Sequence, residues 1–378
     1  MLLLFLQKKM KLFIFFFIFL SINLCTFAQF DADLSDTIFA KTELPRTLAF
    51  DFRSSFFLRN NEYFNNLYDG ITFLGTNINP SFNYTFHSNV SLCLGWYLRM
   101  FNGKNEFYIN SLWYRLTYRF NSKLKLHMGD LWGYEHHRLI EPILSGDFQY
   151  LNPPEKGIQF LYQSTKYKGD LWVNWQRFIL PGDTFKEEFL LGYSAQYNLI
   201  QNSDKSSLSI PMQFLAKHKG GQVDKLRTPM QTFFNWDVGI DFSNNINIHN
   251  KIGLSIFYVQ FNDASDRLLL QYKDGYGILS NLYFKSNLFD IFAGFWRAEY
   301  YYSPVGEPLF QSLSTKYVAY NESFKQLILF KFQYKKRFAE NLPLYLRFES
   351  YFDPQRAYFD FSYSLIVKVN ERRKILSN

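Results

Sequence analysis

Residues 90–120 read VSLCLGWYLRMFNGKNEFYINSLWYRLTYRF. From Val90 to Met100 every second residue is apolar: Val90, Leu92, Leu94, Trp96, Leu98 and Met100 share one face, opposite Ser91, Cys93, Gly95, Tyr97 and Arg99. After Asn102–Asn105 the alternation resumes, with Leu112, Tyr114, Leu116, Tyr118 and Phe120 set against Ser111, Trp113, Arg115, Thr117 and Arg119. A period of two marks strands that divide two environments. The apolar face is aromatic and unbroken, while the other carries arginines. About ten residues at roughly 3.3 Å each, tilted by about 40°, span roughly 25 Å, the height of a barrel's lipid-facing band. The stretch therefore reads as a membrane-crossing β-hairpin.

The same alternation recurs along the chain. The first candidate strand is Thr47–Leu58, and Asn60–Asn79 reads as a long Asn- and Gly-rich loop. Glu106–Phe120 and Lys123–Asp130 follow Val90–Phe101, and the last candidates are Leu342–Phe352 and Ala357–Val369. Sixteen candidates result, with short polar turns such as His87–Asn89 and Asn121–Ser122 alternating with long connections such as Leu131–Lys156 and Tyr301–Ser323. Short turns on one rim, long loops on the other and an even strand count predict an all-β fold, a closed antiparallel transmembrane barrel of about 16 strands. A soluble sandwich fits less well, because strands of ten to fourteen residues exceed the usual five or six.

Composition agrees. Aromatic residues make up 21% of the chain, with 44 Phe and 27 Tyr, yet beyond the leader no apolar run is long enough for a membrane helix. Lys8, Lys9 and Lys11 precede the apolar Leu12–Leu20, and Thr26-Phe27-Ala28 closes the segment, so residues 1–28 read as a signal peptide, with Met10 an alternative start. Residues 29–46 are then a periplasmic leader, 47–369 the barrel and 370–378 a C-terminal tail. With Cys25 removed, Cys93 stands alone on an inward face, so no intramolecular disulfide is expected. The formal charge of +8 is scattered rather than clustered, which argues against a nucleic-acid partner.

Inward Arg53, Arg99, Arg115 and Arg119 form a candidate basic ladder that would favour anionic solutes. The loop Leu131–Lys156 concentrates Glu135, His136, His137, Arg138 and Glu141, a candidate constriction or ligand contact. Glu135, His136, His137 and Glu141 suit a metal by type, but adjacent histidines in an extended loop rarely share one ion, so no metal and no cofactor is expected. Trp172, Asn174 and Gln176 present an aromatic face beside amides, a combination that suits sugar rings. No Gly-x-Ser-x-Gly, His-Glu-x-x-His or phosphate-loop pattern occurs, and the expectation is a protein that is not an enzyme.

Over Thr47–Val369 the chain resembles Gram-negative outer-membrane β-barrel proteins, most closely the porin-like channels with long surface loops. Phe359, Phe361, Tyr363, Leu365, Val367 and Val369 match the alternating assembly signal of their last strand, whereas Asn370–Asn378 runs on past it. The resemblance implies export to the outer membrane and contact with its lipid, lipopolysaccharide and the barrel-assembly machinery. It leaves a homo-oligomer open. The expected function is a porin-like channel for small polar, anionic or sugar-like solutes. The first alternative is a barrel that organises a surface polysaccharide (capsule) glycan. The second is an outer-membrane lipid hydrolase working through one of the scattered histidines.

Overall fold

The computed structural model describes residues 44–376 apart from 202–204, 222, 224–225, 268–269 and 318. The signal peptide and most of the leader lie outside the described residues. The strands are β1 Thr47–Glu62, β2 Thr72–His87, β3 Val90–Phe101, β4 Ile109–Arg119, β5 Leu124–Asp130, β6 Lys156–Gln163, β7 Tyr167–Arg177 and β8 Glu187–Gln201. Then come β9 Ser206–Gly220, β10 Gln231–Asn245, β11 Lys251–Asp263, β12 Asp274–Lys285, β13 Phe289–Glu299, β14 Phe324–Ala339, β15 Leu342–Asp353 and β16 Tyr358–Leu376. All 16 strands pair antiparallel with their sequence neighbours, and β1 pairs with β16 to close the barrel. Closure satisfies every strand edge, which a sheet crossing lipid requires.

The opening hairpin shows how the pattern makes the wall. Leu94, Trp96 and Met100 lie outward, 43–48% exposed, while Cys93 and Arg99 are buried inward at about 5%. An arginine turned to lipid at mid-depth costs about 2–4 kcal/mol, so the alternation leaves one register open to each strand. Outward Phe56, Phe82, Phe160, Ile256, Phe330 and Phe348 continue the apolar belt around the barrel.

Some boundaries differ from the sequence reading. β1 continues to Glu62 and β2 begins at Thr72, so the loop read as Asn60–Asn79 shrinks to 63–71. Arg59 and Asn61 are buried inward residues there, and only Leu74 and Ile78 supply the outward apolar signal at the start of β2. β4 starts at Ile109 rather than Glu106. Residues 370–376, read as tail, extend β16, and their backbone pairs with β1 through Leu376 opposite Leu48.

The lumen is not empty. The connection 131–155 folds inward through two single helical turns, α1 Tyr134–His137 and α2 Phe148–Leu151. The connection 300–323 folds in beside it, with a 3-10 turn at Pro308–Phe310. Leu139, Ile140, Ile143 and Leu144 of the first loop cluster with Tyr301, Val305, Leu309 and Phe310 of the second. Inward Phe257, Phe261, Trp296 and Leu327 complete that cluster. Backbone bonds from Glu307 to Glu141 and from Ser145 to Val305, both 2.8 Å, stitch the loops into one plug.

Candidate functional site

The plug is held by wall residues from most of the circumference. Arg99 donates to the carbonyls of Tyr150 (2.8 Å) and Asn152 (2.9 Å) and to Asn77 Oδ1 (2.8 Å). Arg115 donates to the carbonyls of Asp130 and Leu131 and stacks on Trp132, 4.2 Å from its ring centre. Gln213 on β9 accepts from Ile140 N and donates to the Arg138 carbonyl. Arg59 pairs with Asp147 of the loop and with Glu349 of β15, while Lys331 pairs with Glu141. Burial, opposed by Lys331, raises the Glu141 carboxyl above its ordinary range. Glu307 accepts from Ser145 Oγ at 2.7 Å; burial first, then the Asp147 charge, lifts its carboxyl to about 8.

At the centre of the first loop lies His137, wholly buried. Its Nδ1 is 2.8 Å from Asp170 Oδ2 on β7, and its Nε2 is 2.8 Å from Glu155 Oε2 at the loop's end. The ring stacks on Trp172 at 3.5 Å and 5°. Trp172 lies flat because the residue opposite it on β8 is Gly192, where an added Cβ would come within 2.0 Å of the indole. Gln159 donates to both Asp170 oxygens, and Asn174 donates to Glu155 Oε1 at 3.2 Å. Burial works against charge on the imidazole, but the two carboxylates outweigh it and lift its pKa to about 9. An acceptor stands at each nitrogen, an arrangement that favours the imidazolium at neutral pH, since only that form offers an N–H to both carboxylates. Arg138, in the left-handed region at φ 58°, ends this helical turn and sends the chain into the buried Leu139–Leu144 segment.

Glu155 also borders a cavity of about 250 Å³ between the loop and the wall made by β1–β4 and β16. Arg53, Arg99, His136 and Lys368 lie on its lining. Of the ladder residues, Arg53 therefore faces the cavity, Arg99 and Arg115 bind loop carbonyls, and Arg119 stands at the end of β4 opposite Lys125. Of the loop residues, His136 faces the cavity edge-on to Trp132, His137 is sealed between carboxylates, Arg138 is exposed and Glu141 meets Lys331. The Glu135 side chain lies outside the described residues. Trp172 and Asn174 support His137 and Glu155, and Gln176 follows on the same strand near its end.

Sequence reasoning did not single out Glu155, Asp170, Arg59, Glu307 or Lys331. Asp170 carried a usable signal, a charge at an inward position of a strand otherwise rich in aromatics. Glu155 follows Pro153-Pro154 and joins His137 only through the fold of the loop.

A family model described as lipid A 3'-O-deacylase-type matches residues 40–377. The chain belongs to this family. Membership corrects the expectation of a non-enzymatic protein, since the family takes its description from an ester-cleaving activity. The expectation rested on contiguous motifs alone, and those do not register groups such as His137, Glu155 and Asp170, which are spread along the sequence and meet only in the fold. No curated protein matches the sequence. Among solved structures, a loop-deletion form of OmpT from Vibrio cholerae is similar with a TM-score of 0.51 and 9% identity, over 85% of this chain and 99% of that one. OprD from Pseudomonas aeruginosa is similar with a TM-score of 0.50 and 11% identity, over 89% of this chain and 96% of that one. At these identities the likeness is one of fold, and the fold is that of Gram-negative outer-membrane barrels.

Proposed function

We propose that the protein hydrolyses an acyl ester of a lipid A-type glycolipid in the outer membrane. The acyl carbon–oxygen bond breaks, water supplies the new oxygen, and a fatty acid and a sugar hydroxyl result. The family match over residues 40–377 carries this reading. The carboxylate–imidazolium–carboxylate arrangement supports it, since acyl transfer to water needs a group that takes one proton and returns another. Glu155 is the member that borders the cavity and is the candidate catalytic group. His137, sealed from solvent, acts through it as a positioning residue and proton store, and Asp170 fixes the ring.

The test is mass spectrometry of purified hexa-acyl lipid A incubated with the detergent-solubilised protein. Loss of one acyl chain is expected, abolished by Glu155→Gln. His137→Asn should lower turnover and shift its pH profile. Lipid A left intact by folded wild-type protein would overturn the proposal.

A second reading, passage of small polar solutes, draws on the cavity between loop 131–155 and the wall, on whose lining Arg53, Arg99 and Lys368 lie. It predicts conductance steps in planar bilayers that grow when Arg59→Ala loosens loop 131–155. A barrel that stays ion-tight in both forms would sink it.

A further inference from the structure

Every strand of the barrel has a neighbour on each side, but β4 does not have one along its whole length. The β4–β5 ladder runs only from Arg115 opposite Gly129 to Arg119 opposite Lys125. β5 and β6 are the shortest strands, with 7 and 8 residues against 11 to 19 in the others. Toward the loop rim, Ile109–Tyr114 of β4 therefore has no strand on that side among the described residues. Outward Leu112 and Tyr114 on this stretch are exposed and continue the apolar belt from Leu94 and Trp96, so the break lies at lipid depth. A bare strand edge is not tolerated there unless protein covers it.

The cover is the end of the first plug loop, residues 152–155, with its flanking residues. At the rim Tyr108 Oη donates to the Leu151 carbonyl at 2.8 Å, and Arg99 donates to the Asn152 carbonyl at 2.9 Å. At the foot of the break the Lys156 ammonium donates to the Leu112 carbonyl at 2.6 Å and pairs with Asp130 at 3.0 Å. It also lies 4.8 Å from the centre of the Tyr114 ring, and Asp130 Oδ2 accepts from Tyr114 N at 2.6 Å. Side chains thus stand where ladder bonds would run. Between these anchors come Pro153 and Pro154, which have no N–H to offer the edge. No backbone bond joins 152–155 to Ile109–Tyr114 among the described residues. Leu151 and Pro153 are exposed, while Pro153, Pro154 and Glu155 line the cavity together with Trp113 of β4. A single thickness of chain, pinned at both ends, separates the cavity from the outer surface of the wall.

A laddered wall opens only by breaking a run of backbone bonds together, whereas this seam opens when one ammonium lets go. We propose that residues 152–155 form a lateral gate, and that a single hydrocarbon chain of an outer-leaflet lipid passes between it and β4 into the cavity. A chain that moves sideways from the bilayer is never transferred into water. Entry by this route rests on the ester-hydrolysis reading, because it delivers an acyl ester to Glu155, but it is measured without turnover.

The experiment is photo-crosslinking in proteoliposomes with a diacylated glucosamine lipid that carries a diazirine at the end of one acyl chain. Mass spectrometry locates the labelled residues. Label on outward Leu94 and Leu112 is expected in every form and reports contact with the bilayer. Label on Trp113 and Tyr134, which line the cavity, is expected in the wild type. Lys156→Met should raise the internal label about tenfold, the weight of one charge-assisted hydrogen bond on a two-state gate, and Lys156→Arg should bring it back down. A second form leaves Lys156 in place: Tyr108→Cys and Leu151→Cys, bridged by a bis-maleimide, should lose the internal label and keep the outward one. Cys93 is buried and does not compete for the reagent. Equal internal label with and without the bridge would overturn the gate, as would its absence from both the wild type and Lys156→Met. Internal label with lipid A left intact would overturn only ester hydrolysis. Loss of an acyl chain from lipid A without internal label would overturn only the gate.

Discussion

The two sides of the lumen hold the plug by different physics. Toward β10–β14, Phe233, Phe257, Phe261, Leu279, Trp296 and Leu327 pack against Tyr301, Val305, Leu309 and Phe310 in a continuous apolar cluster. Toward β16 and β1–β4 the loop meets arginines, amides and a cavity. Apolar packing is non-directional and dry, so the first side fixes the plug in place. Hydrogen bonds and ion pairs depend on geometry and protonation, so the second side can respond to ligand and pH. The His137 group, set against β7, lies on neither of these sides but is held by the same directional contacts, two carboxylates and a stacked indole.

The contrast can be broken most severely at its two anchors. Phe310→Ala, at a site with no exposure, should cost about 3–5 kcal/mol by opening a cavity in the dry half. Arg59→Ala should cost a similar 3–5 kcal/mol by leaving Asp147 and Glu349 buried without their cation. Thermal unfolding in detergent reads both losses, and limited proteolysis separates them. Arg59→Ala should expose cleavage within 131–155, and Phe310→Ala within 300–323.

A smaller effect is expected at Gly192. An added methyl there must displace Trp172, so Gly192→Ala should cost about 1–3 kcal/mol and quench less of the indole fluorescence on His137. Unchanged stability and emission would mean that the stack does not position the histidine.

The pH response comes next. The His137 pKa of about 9 lies above the ordinary 6.5, so its contribution is fully present below pH 6.5 and is lost as pH rises through 9. Glu307, raised from 4.5 to about 8, binds its extra proton in the folded state, so stability falls as pH rises between those values. Both signs agree: the melting temperature should decline from pH 6 to pH 10. His137→Gln should flatten the upper part of that decline and Glu307→Gln the middle. A melting temperature that rises over this range would contradict the assignments.

The smallest stability effect belongs to Arg53→Ala. Its ion pair with Asp51 is long and its side chain is 23% exposed, so the loss should stay below about 1 kcal/mol. A large loss would make Arg53 an anchor of the plug like Arg59.

Sequence periodicity made the wall legible because lipid and lumen impose opposite costs on alternate residues. Leu94 and Arg99 could not exchange faces. Boundaries were legible only where apolar residues marked the outer face. Near Asn60 and Thr72 polar side chains point both ways, and a strand passed for a loop. The plug was half legible. Clustered charges singled out 131–156, but 300–323 looked like any long connection, since its burial depends on inward Phe257 and Trp296 far off in sequence. His137 was visible as a residue type, while its role was not, because its partners Glu155 and Asp170 arrive from a loop end and a separate strand.

The most direct test of the account is the protonation state of His137. Nitrogen-15 NMR of histidine-labelled protein, assigned by difference against His137→Asn, reads the ring directly. An imidazolium at pH 7.5 that titrates near 9 is the predicted result. A neutral ring at pH 7.5, titrating near the ordinary value of about 6.5, would contradict the carboxylate–imidazolium–carboxylate centre on which the proposed chemistry stands.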